Sequence, residues 1–168
     1  MRAARTAQAV LEIYGDGLDE LVTPIDPVTI ARELGINVYA AKMPNSVSGY
    51  IVKSDPGKAP DIFVNTEHAP VRQRFTIAHE LGHYFHQIEK DGHEESTYSY
   101  RRDELSSCGT DTDERYANGF AAELLAPEPL IRQLKNDNKS ELQIARELNV
   151  SLETIKYRMK NLGIVNEQ

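Results

Sequence analysis

The sequence predicts an α+β fold in which one long helix packs on a small three-stranded sheet and a helix-turn-helix-like pair closes the C-terminus. Three observations carry that reading. Residues 70 to about 88 place apolar side chains at Val71, Phe75, Ile77, Ala78, Leu81, Phe85 and Ile88, the spacing of a mostly buried helix opened by Pro70. Three short β-type runs precede it, and two serine-capped helical stretches follow near the end of the chain.

Taken in order, Ala4, Ala7, Val10, Leu11 and Tyr14 form the apolar stripe of an amphipathic helix over residues 3–14, ended by Gly15. Asp26 is an N-cap and Pro27 an N1 proline, opening a helix that Gly35 closes. Residues 36–41 and 47–53 read as strands. Asp55-Pro56-Gly57 makes a turn, and residues 61–65 complete a hairpin. After the long helix, residues 90–112 are rich in Gly, Ser, Thr and acids and read as a mobile loop. The next helix opens at Asp113, with Thr110 and Thr112 for cap chemistry, and stops at Pro127. Its stripe is Ala117, Phe120, Ala121, Leu124 and Leu125, with Glu114 and Asn118 along the flank. In the tail, Ser140 and Ser151 cap two helices, and Ile144, Ala145, Leu148, Val150, Ile155 and Met159 supply a small core. Residues 1–135 are therefore expected to form the main domain and residues 136–168 a helix-turn-helix-like subdomain. Ile30-Ala31-Arg32-Glu33-Leu34 echoes Ile144-Ala145-Arg146-Glu147-Leu148, which reflects shared helix-then-cap grammar rather than a repeat.

The long helix carries His79-Glu80-Leu81-Gly82-His83. Residues four apart on a helix share a face, so His79 and His83 can present two imidazoles to one tetrahedral zinc. Glu80 sits one step round, beside the place of a metal-activated water, where it can act as general base. Zinc lowers the pKa of such a water to about 7 and polarises a carbonyl. The pattern points to amide hydrolysis. Burying three ionisable groups on an apolar helix is costly unless they are paired or metal-bound, which favours the metal reading.

A catalytic zinc takes about three protein ligands and leaves a position open. His86 fails as the third, because His79 and His86 lie roughly 10 Å apart along the helix axis, whereas two ligands of one zinc lie about 3–4 Å apart. His86 is expected in packing or behind the ligands. The longer spacing HExxHxxGxxH is also broken, by His86 and Glu89. His93 lies in a polar loop. Glu114 is the better candidate, since an acid on the buried side of a helix needs a cation. Its alternative role is an acid favouring the helix dipole, and Asp113 is the reserve. Asn118, one turn on, can accept the ring N–H of a zinc ligand and fix its tautomer.

These residues resemble the ImmA/IrrE family of small bacterial and phage zinc metallopeptidases. The resemblance rests on residues 74–83 (RFTIAHELGH) and 114–127 (ERYANGFAAELLAP), with support from residues 25–36, 47–50 and 62–65. It implies a zincin-like fold, zinc at His79, His83 and Glu114, and Glu80 as base. Two positions depart from the family's pattern. Tyr116 stands where an acid is common, and Ala126 where a Met is common. Members are typically encoded beside a helix-turn-helix repressor of the phage-repressor type and cut it to relieve repression; the resemblance implies that partner.

Composition bounds the rest. The chain has 168 residues, 27% charged and 40% hydrophobic, as expected of an ordinary globular protein. Its net charge of −7 argues against direct nucleic-acid binding as its main work. No apolar run reaches membrane-spanning length, and residues 1–6 lack a signal-peptide core. A single cysteine, Cys108, fits a reducing cytoplasm and reads as a free loop thiol. Lys156, Arg158 and Lys160 make the last helix basic, but Glu141, Glu147 and Glu153 nearly cancel them. Tyr98 and Tyr100 are candidates for hydrogen-bonding an oxyanion, or simply solvated loop tyrosines. The competing function is a DNA-binding or partner-binding regulator whose zinc site is structural or inactive.

Overall fold

The computed structural model describes residues 2–14, 23–91, 97–103 and 112–164. In chain order the elements are α1 (Arg2–Tyr14), α2 (Pro27–Glu33), β1 (Asn37–Ala41), β2 (Val47–Lys53), β3 (Asp61–Asn65), α3 (Pro70–Asp91), β4 (Tyr98–Asp103), α4 (Thr112–Leu125), α5 (Glu128–Asn136), α6 (Glu141–Glu147) and α7 (Leu152–Asn161). The α+β class is as the sequence predicts, and α3 lies between the sheet and α4.

The sheet runs β1-β3-β2-β4, with β1 parallel to β3 and the other pairs antiparallel. The three expected strands are present. A fourth, β4, comes out of the stretch read as a loop, and it pairs along the free edge of β2. The sequence hides it because an edge strand is ordered by main-chain pairing, which leaves little apolar alternation to read. Tyr98 and Tyr100 therefore lie opposite Lys53 and Ile51 in a sheet edge. Ser48 is the extra residue of a bulge in β2, and its hydroxyl accepts from Arg72 Nη2 at 3.0 Å.

Ile51, Ile62 and Val64 are buried on the face toward α3. Tyr39, Phe63 and Tyr50 stack across the opposite face, with ring centroids 5.2 and 4.8 Å apart. A Cβ on Gly49 would come within 2.5 Å of the Phe63 carbonyl oxygen and 2.6 Å of Thr76 Cγ2. Glycine at this point lets α3 settle onto the strands. On its other side α3 meets α4, and α1 covers α4 with Ala3, Ala7, Val10 and Leu11. The inward residue at the start of α1 is thus Ala3, with Ala4 partly exposed.

Local helix signals behave as read. Asp26 Oδ1 accepts from Val28 N, Ser140 and Gln143 form a reciprocal capping box, and Ser151 Oγ accepts from Thr154 N. Thr112 is the first residue of α4, whereas Thr110 and Gly15 lie outside the described residues. The two echoing segments end alike. Gly35 and Asn149 both take positive φ, 75° and 52°, and the following Ile36 and Val150 donate back to Ala31 and Ala145 at 2.9 and 3.0 Å.

The tail packs into the same apolar cluster as the rest, through Ile144, Ala145, Leu148, Val150, Ile155 and Met159. Two arginines tie it to the helices around it. Arg74 of α3 donates to Ile25 O at 2.6 Å and to Asn149 O at 3.3 Å. Arg158 of α7 is buried, pairs with the buried Glu123 of α4 and donates to Ala126 O at 3.1 Å. Lys156 and Lys160 are exposed, so the three basic residues of α7 do not form one surface. Arg158 is engaged in the interior because Glu123, set among apolar residues of α4, needs a cation there.

Breaking a buried pair leaves an uncompensated charge, which costs about 3–5 kcal/mol. Arg158→Ala is expected to destabilise by that order in urea unfolding, and Lys156→Ala by less than about 0.5 kcal/mol. Equal effects of the two would remove the interior role of Arg158. Among the described residues, no helix is long and apolar enough to cross a membrane.

Candidate metal centre

His79 and His83 stand one turn apart on α3 and are 0% and 2% exposed. Their Nε2 atoms lie 3.0 Å apart. Glu114, in the first turn of α4, brings Oε2 to 3.3 Å from His79 Nε2 and Oε1 to 3.0 Å from His83 Nε2. The ligand atoms of the three residues all lie within 4.8 Å of one another. Ligands at about 2.0–2.1 Å from a tetrahedral zinc are separated by roughly 3.3 Å, so this spacing fits one small cation.

The donor chemistry points the same way. His79 Nδ1 lies 3.0 Å from Asn118 Oδ1, an oxygen that can only accept. That contact favours a proton on Nδ1, and in a neutral His79 it would leave the Nε2 lone pair, on the side of Glu114 and His83, for a metal ion. Asn118 thus lies beside the His79 ring, where the sequence reading puts it. Burial pulls the Glu114 carboxyl up, but hydrogen bonds and charge from His79 and His83 outweigh it and bring the group down to about 2. A cation bound between the three side chains would favour the carboxylate in the same way.

Glu80 follows His79 on α3 and is fully buried. Asp113, the reserve candidate, is not part of that group and pairs with Lys90 Nζ at 2.6 Å and His86 Nδ1 at 3.5 Å. His86 packs as expected, stacked on Tyr116 with centroids 4.1 Å apart and planes 10° apart. Its pKa is lowered by burial first and then by Lys90. Tyr116, the departure from the family's acid, has its hydroxyl 2.5 Å from Glu89 Oε1 and 3.0 Å from Thr6 Oγ1. Burial and the bond to Glu89 raise its pKa, so the phenol stays protonated and donates. His68 lies away from the site, with Nε2 3.0 Å from Asn45 O. His93 and Cys108 lie outside the described residues.

Gly82 is the feature that sequence reasoning passed over. Glycine inside a helix costs about 1 kcal/mol relative to alanine, and that cost was the available signal. Its Cβ would lie 2.7 Å from Ala117 Cα.

The family model for the IrrE N-terminal-like domain, Peptidase_M78, matches residues 31–160. The chain belongs to the ImmA/IrrE family. Within that family, this chain's residues 79–83 and 114–118 supply a triad that could hold a metal ion. A solved structure described as a Mycobacterium tuberculosis transcriptional regulator matches it with a TM-score of 0.63 and 17% identity, over 95% of this chain and 46% of the other. This ImmA/IrrE chain thus spans about half the length of that protein, and the likeness is one of fold. No match was found among the curated proteins.

Partners that orient a metal-bound histidine are worth about 10–100-fold in metal affinity. If the triad holds a metal ion, Asn118→Ala is expected to weaken its binding by that range in a chelator-competition titration. Unchanged affinity would mean that Asn118 does not orient His79.

Proposed function

We propose that this protein is a zinc-dependent endopeptidase that cleaves a helix-turn-helix repressor of the phage-repressor type and so relieves repression. The supporting observation is the convergence of His79, His83 and Glu114 within 4.8 Å, with Glu80 on the same helix. Two imidazole nitrogens and one carboxylate at tetrahedral spacing suit zinc. The chemistry a bound zinc supplies is polarisation of the scissile carbonyl and acidification of water to a pKa of about 7.

The chain's own residues do the rest. Glu80 accepts a proton from the water as its oxygen bonds to the carbonyl carbon. It then delivers that proton to the leaving nitrogen as the C–N bond breaks. Asn118 holds the His79 tautomer. The side of β4 away from β2, which carries no strand among the described residues, offers main-chain groups to an extended substrate segment, which would lie as an added strand. Tyr98 and Tyr100 on that strand are the candidate donors to the oxyanion. A cytoplasmic location belongs to the same proposal, because the repressor acts where the DNA is.

The second reading, a regulator with a structural or silent metal site, draws on the helix-turn-helix-like α6 and α7. Against it, structural zinc sites are closed by about four protein ligands, commonly with cysteine, and the group here has three among the described residues. The experiment is incubation of the zinc-loaded protein with the repressor encoded beside its gene, read by mass spectrometry, together with a mobility shift on the operator. A defined cut that a chelator abolishes is expected, with no shift by this protein alone. An intact repressor at full zinc occupancy, or a sequence-selective shift by this protein alone that falls steeply with salt, favours the regulator.

A further inference from the structure

We propose that Gly82 is a positioning residue for the metal centre: by leaving no Cβ between α3 and α4, it sets the distance at which Glu114 reaches His79 and His83. The inference rests on the metal-site reading above. The two helices present matching patterns. On α3, His79 and His83 stand one turn apart, with Gly82 just before the second. On α4, Glu114 and Asn118 stand one turn apart, with Ala117 just before the second. The small residues face each other, and the polar pairs meet beside them, at 3.0 Å for His83–Glu114, 3.3 Å for His79–Glu114 and 3.0 Å for His79–Asn118.

A Cβ on Gly82 would lie 2.7 Å from Ala117 Cα, 3.0 Å from Ala117 O and 3.2 Å from Phe120 Cβ. The two closest atoms belong to the α4 backbone and cannot rotate away. Restoring an ordinary contact of 3.4 Å from 2.7 Å requires the helices to part by about 0.7 Å at this point. Metal–ligand distances tolerate only about 0.2 Å. The carboxylate on α4 and the imidazoles on α3 would then no longer share one tetrahedral centre. Gly119 makes the contrast, since among the described residues its Cβ would meet only Ala3 Cβ, at an ordinary 3.6 Å.

Gly82→Ala, Gly119→Ala and the wild type are compared by circular dichroism of the metal-free protein, zinc affinity by chelator competition, and the visible spectrum of the cobalt-loaded form. Alanine favours the helix over glycine, so a selective loss of metal binding is not a loss of helix. Gly82→Ala is expected to fold, to bind zinc at least about tenfold more weakly, as for an outer partner, and to show an altered cobalt spectrum. Gly119→Ala should match the wild type. A folded Gly82→Ala with wild-type affinity and spectrum overturns the proposal, as does a Gly119→Ala loss of the same size. If Gly82→Ala does not fold, Glu114→Asp decides, because it shortens the reach by one methylene and leaves the helix contact intact. Loss of affinity in Glu114→Asp supports a tight spacing, and wild-type affinity overturns it. A wild type that takes up no zinc would remove the metal reading itself, and this inference with it.

Discussion

Glu80→Gln is expected to keep the fold and the capacity to bind metal, and to lose most of the proposed hydrolysis. The substitution is close to isosteric, so the fully buried position of Glu80 on α3 stays filled. It leaves His79, His83 and Glu114, the three residues whose ligand atoms converge, unaltered. The amide of Gln cannot accept the proton that the attacking water must lose. General-base catalysis contributes about 10²–10⁴-fold, and the proposed cleavage should fall by that order. The measurement is a single-turnover cleavage rate on preparations matched for zinc content. Near-normal turnover by a zinc-matched Glu80→Gln protein would sink the general-base role.

The second large effect separates two adjacent acids. Glu114→Ala should lose metal affinity by more than the roughly 10–100-fold of an outer partner, since it removes one of the three proposed ligands. Asp113→Ala should change affinity little, because Asp113 faces Lys90 and His86. Competition with a chelator of known affinity reads both. Retained affinity in Glu114→Ala, with loss in Asp113→Ala, would move the ligand to the reserve position. Acid adds a check. The Glu114 carboxyl is depressed from 4.5 to about 2, so its contribution to the folded state is fully present above 4.5 and is lost as pH falls through about 2.

By itself the sequence determined the features that depend on neighbours within about one helical turn or one strand. The shared face of His79 and His83 follows from their four-residue spacing. The caps at Asp26, Ser140 and Ser151 are side chains bonding to backbone two or three residues on. The buried stripes of α3 and α4 follow from apolar periodicity, and the ImmA/IrrE resemblance lies in those same two helices. Even Asn118 was legible, because it stands one turn from Glu114 on the flank that must face the histidines.

What the tertiary structure alone decided are contacts between elements far apart in the chain, where a residue's environment comes from a partner that no local pattern names. Glu114 and Asp113 are both acids in the first turn of α4, and only the crossing with α3 turns Glu114 onto the histidine pair. Arg158 reads as one of three basic residues on α7 until Glu123, 35 positions earlier, takes it inside. The strand β4 exists because β2 had an unpaired edge, a main-chain property that side-chain patterns do not record. Gly82 looks like a weak point in its helix until the backbone of Ala117 arrives within the space a Cβ would need. Periodicity reports which face of an element is apolar; the distance of closest approach between two faces is set by packing, and that distance is what brings His79, His83 and Glu114 together.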